Sequence, residues 1–204
     1  MIGTAIDEQS FEVGLARLQR SVSDPAAGIF GPSSPVWEVS RHTVVFLGAG
    51  RAALLQLAHP WVAQAVADHS ILRGDPLSRF RRTFAHVFAM VFGSVEQAID
   101  SARRVFRTHV AISGQMSGDA SLFPSGSAYR ALDVDAAHWV HATLADTAVR
   151  VYELTVRRLS LAEKDAYLRE SARFGVLLGI PDGRMEANWN AFAAYNHRMW
   201  SSGV

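Results

Sequence analysis

The sequence contains no cysteine. Disulfides, thiolate metal centres and cysteine nucleophiles are therefore excluded, and the redox compartment is left open. Lysine is nearly absent: of 20 basic residues, Lys164 is the single lysine and the rest are arginine. The formal net charge is only +1, which removes the electrostatic case for a nucleic-acid partner. No run of about 18 apolar residues is free of charges, so no membrane-spanning helix is expected. The N-terminus is acidic early and lacks a basic stretch followed by an apolar one, so no secretory signal is read. A cytoplasmic location is the default expectation. Four catalytic signatures are also missing: Gly-x-Ser-x-Gly, the P-loop, Glu-x-x-His and His-Glu-x-x-His. Helical non-haem metal sites usually need the third of these, so a four-ligand site of that kind is not expected.

What is present is a chain of 204 residues, 49% hydrophobic, enough for one domain with a substantial core. Residues 1–29 read as an N-terminal helix and linker, and 30–204 as the main helical domain. Phe11, Leu15 and Leu18 mark a short amphipathic helix. A Pro/Gly/Ser-rich connection follows from Ser21 to Ser40. The run His42 to Leu57 is apolar nearly all round and predicts a buried helix. Pro60 breaks it at His59 and starts a new helix to about His69. His59, at that junction, is expected to reach backbone groups left unpaired by the break. Asp75-Pro76 opens a helix ending at Gly93. Ser94-Val95-Glu96-Gln97 is a capping box opening a helix to about Met116. Asp133 caps a long helix to about Arg157, Ser160 to Glu163 opens another ending near Gly179, and residues 184–200 form the last. The expected fold is all-α, a single multi-helix domain around a central bundle, with essentially no sheet.

One stretch argues for another fold. Gly48-Ala49-Gly50-Arg51-Ala52-Ala53 follows an apolar run and fits the relaxed dinucleotide fingerprint. That fold needs several parallel strands alternating with helices, and every later element here has helix caps and a 3.6-residue period. The glycines then read differently: they let another helix, or a flat ligand, approach closely.

Three sets of polar residues fall on helix faces of interest. His109 shares a face with Val95, Ala102 and Met116, spaced by seven, and points inward. A buried imidazole needs a partner: a metal, a haem iron or a plain hydrogen-bond acceptor. Arg79, Arg82, Thr83, His86 and Met90 cluster on one side of their helix, either to grip an anion or as a solvated face. His138 and His141 lie three apart on one side of the long helix, with Asp146 beyond them.

The blocks FGPSSPVWEV, GAGRAALLQLAHPWVAQAVADHS, DPLSRFRRTFAHVFAMVFG and LDVDAAHWVHATLADTAVRVYE resemble the superfamily of MpaB-type and latex-clearing proteins, the rubber-oxygenase catalytic domain. The resemblance covers about residues 30 to 200, and its members usually continue beyond the point where this chain stops. It implies an all-α fold and, in the rubber-cleaving branch, a b-type haem. The proximal ligand there is a histidine downstream of an Arg-x-x-Lys-Thr motif. Here that motif reads Arg79-Phe80-Arg81-Arg82-Thr83, and His109 is the matching histidine. Arg82 replaces a lysine able to ligate iron, so that ligation should be absent.

The resemblance further implies that Arg79 and Arg82 sit near the propionates or the distal side. Thr83 would hydrogen-bond bound oxygen or water, and His138, His141 and Asp146 would orient the pocket. The implied activity is a haem-dependent oxygenase using molecular oxygen on a small apolar substrate, unsaturated or isoprenoid in type. The alternative is a non-catalytic helical binding or structural protein whose histidines are hydrogen-bonded core residues. Oligomeric state is not set by the sequence.

Overall fold

A computed structural model describes residues 3–69, 76–120 and 122–201, and for 76–80 the backbone alone. The helices in chain order are α1 (Glu8–Arg20), α2 (Pro35–Ser40), α3 (Ala49–Leu57), α4 (Pro60–His69), α5 (Pro76–Phe92), α6 (Val95–Val110), α7 (Val134–Thr155), α8 (Leu161–Leu177) and α9 (Trp189–Ser201). A 3₁₀ turn, Thr43–Gly48, precedes α3. Strands β1 (Ser113–Gln115) and β2 (Ala128–Arg130) pair antiparallel, with Gly114 opposite Tyr129. The fold is all-α apart from this small hairpin. No helix among the described residues is long and apolar enough to cross a membrane.

The caps form where the sequence places them. Ser94 and Gln97 complete a reciprocal capping box, as do Ser160 and Glu163. The Asp133 carboxylate accepts from the backbone of Asp135 and Ala136 and starts α7. Each such cap is worth about 1 kcal/mol. The Asp75 cap lies outside the described residues.

Helix α7 is the axis of the domain. Along its 22 residues, apolar and polar side chains are buried on several sides, including Trp139, Ala142, Val149 and Tyr152. The 3₁₀ turn, α2, α3 and α8 pack around it, and α1 and α2 lie against α8. Leu15 on α1 and Ala98 and Ala102 on α6 are fully enclosed in the same core. Burying a leucine of this kind contributes roughly 1.5–3 kcal/mol.

Three expectations are corrected. The segment Ser21 to Ser40 is not all connection: Ser34 accepts from the Trp37 N–H and Pro35 sits in the first turn, so α2 forms. Helix α6 ends at Val110 rather than near Met116, because Ser113 and Gly114 are poor helix formers and pair with β2 instead. Met116 therefore leaves the His109 stripe and packs with Trp61 and Tyr129. Finally, His42 to Leu57 is not a buried helix. Only Gly48 and Ala52 are buried there, whereas Leu47 and Leu54 are 81% and 72% exposed.

The two glycines of that stretch do different work. A Cβ on Gly48 would lie 2.5 Å from Thr147 Cγ2 and 2.8 Å from Val151 Cγ2, so Gly48 is where α7 passes close by. A Cβ on Gly50 would meet nothing within 4 Å. Gly48→Ala should therefore destabilise by about 1–3 kcal/mol through overpacking. Gly50→Ala should be neutral or stabilise by up to about 1 kcal/mol through helix propensity. Urea melts of the two variants check this, and equal shifts would contradict the packing assignment.

Candidate functional site

Helices α5 and α6 form an antiparallel hairpin around Gly93 and Ser94. Its register is set by His86, whose Nδ1 lies 2.7 Å from Ser101 Oγ, while that hydroxyl donates to the His86 carbonyl at 3.3 Å. Thr83, His86 and Met90 share one face of α5 by spacing. Met90 is buried, His86 half-buried and Thr83 exposed. On α6, Ala98 and Ala102 are fully buried, His109 is half-buried and Val110 is exposed. Burial thus falls away from the turn on both helices. We call the end away from Ser94, where the described side chains are least buried, the open end of the hairpin.

His109 stands at that open end. It lies eight residues beyond Ser101, roughly 12 Å along the helix axis. Counting back equally from His86 brings the backbone of residues 78–79 level with it, and Arg82 and Thr83 one turn nearer the hairpin turn. The hairpin thus brings Arg79, Arg82, Thr83 and His109 to one end, although only the backbone of Arg79 is described. The His109 imidazole has no hydrogen-bond partner among the described residues. Desolvation lowers its pKa from the ordinary histidine value, so the ring is held neutral with a free nitrogen lone pair. Arg82 and Thr83 are exposed.

The polar residues of α7 are engaged elsewhere. The Asp146 carboxylate, 6% exposed, accepts from Arg51 Nη2 at 2.6 Å and from Arg150 Nε at 3.0 Å. Arg51 also donates to Thr147 Oγ1 at 2.5 Å, tying α3 to α7. Arg150 in turn lies 5.7 Å from the Trp200 ring of α9. His138 Nε2 is 3.1 Å from Glu186 Oε2, and its ring stacks on Tyr195 at 4.4 Å. His141 Nε2 donates to the Ser171 carbonyl at 2.9 Å, which leaves Nδ1 bare and buried. Burial pushes the His141 pKa down to about 4. No hydrogen bond among the described residues joins this group to His109.

Asp146→Ala should cost roughly 2–3 kcal/mol. The full figure for breaking a buried pair, about 3–5 kcal/mol, is reduced because Arg51 keeps a third of its side chain in water. Denaturant melts of Asp146→Ala against Arg150→Ala check this, the latter being mild because Arg150 is the more exposed partner. Equal losses would contradict the assignment of Arg51 as the main partner.

His59 departs from its expected role. Its Nδ1 is buried without a hydrogen-bond partner rather than bonded to the interrupted backbone. The break at Pro60 is instead satisfied by main-chain bonds from His59 N to Gln56 O and from Ala63 N to His59 O. The imidazole packs against Trp61 and Phe123, and burial pushes its pKa down to about 4. It also lines a cavity of about 220 Å³ with Leu55, Ala58, Trp139, Met199 and Trp200.

A larger groove, about 580 Å³, runs along the opposite face of α5. Phe46, Phe84, Ala85, Phe88 and Phe92 line it, with Ser40, Arg41, Thr43 and Arg81. The rings of Phe46 and Phe88 stack at 5.0 Å, and Phe88 and Phe92 are 5.6 Å apart. Neither cavity includes His109.

Sequence reasoning missed Arg51 and Glu186, the partners of Asp146 and His138. They lie 95 and 48 residues from those partners, and no local spacing announces such pairs. Among the described residues, no group of three or more His, Asp or Glu side chains could hold a metal ion.

A family model for the catalytic domain of ER-bound oxygenase mpaB/B′ and rubber oxygenase matches residues 37–203. No curated protein and no solved structure gave a match.

Proposed function

Because the chain belongs to the family of the ER-bound oxygenase mpaB/B′ and rubber oxygenase catalytic domain, we propose that it is a haem b-dependent oxygenase acting with molecular oxygen on a small apolar substrate, unsaturated or isoprenoid in type. The observation that carries this reading is His109: a half-buried imidazole, its pKa lowered by desolvation, without a hydrogen-bond partner among the described residues, at the open end of the α5–α6 hairpin. Haem is a group that one such imidazole would hold, and no cluster of His, Asp or Glu side chains suited to a bare metal ion accompanies it among the described residues. A free imidazole nitrogen is the donor that haem iron takes, so the residue fits the group.

Haem would supply the oxygen chemistry. The chain's own residues would hold and shape it. His109 would ligate the iron through one ring nitrogen. Arg82, permanently protonated, is unable to act as a second ligand and would serve as a charge for the propionates. Arg79 would do the same from the preceding turn. The Thr83 hydroxyl, exposed on the face that α5 turns toward α6, would offer a hydrogen bond to molecular oxygen or water entering the site. Asp146, His138 and His141 would support the site from a distance by fixing α3, residue 186 and α8 against α7. An apolar substrate suits the exposed leucines of this region, Leu47 in the 3₁₀ turn and Leu54 and Leu57 on α3.

A second reading, a non-catalytic helical binding protein, is favoured by the engagement of Asp146, His138 and His141 in structural bonds. Hemin titration separates the two. The oxygenase reading expects saturable one-to-one binding with a Soret band, followed by oxygen uptake when squalene is supplied as the unsaturated probe. Absence of saturable hemin binding would leave the binding-protein reading.

A further inference from the structure

We propose that the groove on the far side of α5 binds a long-chain fatty carboxylate, with Arg81 gripping the carboxylate and the phenylalanine ladder covering the alkyl chain. This site is separate from the one around His109. Thr83, His86 and Met90 face α6, whereas Arg81, Phe88 and Phe92 lie on the opposite side of the same helix.

Two features select the ligand. The first is charge. Arg81 is exposed and has no carboxylate partner among the described residues, and Arg41 is held on one side by Glu38 at 2.9 Å. Thr43 also lines the groove, and its hydroxyl has no hydrogen-bond partner among the described residues. Arg81 is thus the exposed guanidinium of the lining without a carboxylate partner among the described residues, whereas Glu38 is already paired to Arg41 and to His42 at 3.4 Å. A guanidinium takes a carboxylate in a two-point contact.

The second feature is shape. Phe46, Phe88 and Phe92 make a continuous aromatic floor, and Phe88 remains 41% exposed. From Arg81 to Phe92 is eleven residues of helix, roughly 16 Å, the span of an extended alkyl chain. A single anionic head at one end of a long apolar track describes a fatty carboxylate. The groove volume of about 580 Å³ falls within the ~300–1,000 Å³ of small-molecule sites.

The test is isothermal titration calorimetry of the full chain with dodecanoate, dodecanol and dodecyltrimethylammonium, each below its micellar concentration. Dodecanoate should bind one-to-one, at least tenfold tighter than either comparator. Arg81→Ala should weaken dodecanoate about tenfold and leave dodecanol unchanged, while Phe88→Asp should weaken both. Both positions are exposed, and circular dichroism confirms that the variants fold. Hemin titration of Arg81→Ala should be unchanged, which keeps this site distinct from the His109 site. Equal affinity for dodecanol and dodecanoate, or an unaltered Arg81→Ala, would overturn the proposal. So would the absence of dodecanoate binding, whether the chain proves monomeric or forms a dimer that Phe88→Asp breaks, the second outcome assigning the groove to self-association.

Discussion

Lowering the pH from 7 to 5 should destabilise the fold by roughly 4 kcal/mol, about 2 kcal/mol from each of His59 and His141. Both rings are buried, and desolvation pushes both pKa values from 6.5 to about 4. The coulombic pull of Asp135 on His59 and the Ser171 bond of His141 act the other way and are outweighed. In the unfolded chain each imidazole takes up a proton as the pH falls through 6.5, whereas in the folded protein it stays neutral until about 4. The unfolded state therefore binds more protons across this window, and stability is lost as the pH drops. The loss levels off below the folded value. Urea melts at half-unit intervals measure the slope, which should approach about 1.4 kcal/mol per pH unit for each histidine at its steepest. His141→Gln should remove the share of the slope that His141 contributes. A flat profile between pH 7 and 5, or an unchanged slope in His141→Gln, would contradict the account.

The helices were legible because their signals are local. Ser94 with Gln97, Ser160 with Glu163, and Pro60 after His59 each encode a boundary within four residues, and the structure places a helix start at all three. The rejection of the dinucleotide reading also rested on local periodicity, and the structure adds the physical meaning of Gly48: room for α7.

What stayed hidden depends on the third dimension. An apolar run from His42 to Leu57 looks the same whether it is enclosed or open, and here Leu47 and Leu54 face outward. Composition also concealed α2, whose Ser34-Pro35 start sits in a stretch rich in turn formers. For the candidate site, the spacing of His109 to Val95 and Ala102 predicts an inward position, and the structure places the residue half-buried. The open end of the hairpin was not readable from spacing, because Thr83 and Met90 occupy the same helical face with opposite burial. The ion pair of Arg51 with Asp146 and the contact of His138 with Glu186 join distant segments that no motif links.

His109→Ala should abolish retention of haem, the largest effect expected of any single substitution here. The side chain is half-buried and makes no hydrogen bond among the described residues, so its removal leaves no stranded polar partner and the variant should fold. What it removes is the imidazole proposed to ligate the iron, the one found at the open end of α5 and α6 among the described residues. Arg82→Ala should be milder, weakening haem retention through loss of a charge-assisted contact while leaving the axial ligand in place. The most direct measurement is electron paramagnetic resonance, with absorption spectra, of the wild type and His109→Ala after reconstitution with hemin. The wild type should show an axial-histidine signature that disappears in the variant and returns on adding imidazole, which fills the vacated space. Identical axial-ligand signatures in the two proteins would contradict the central claim.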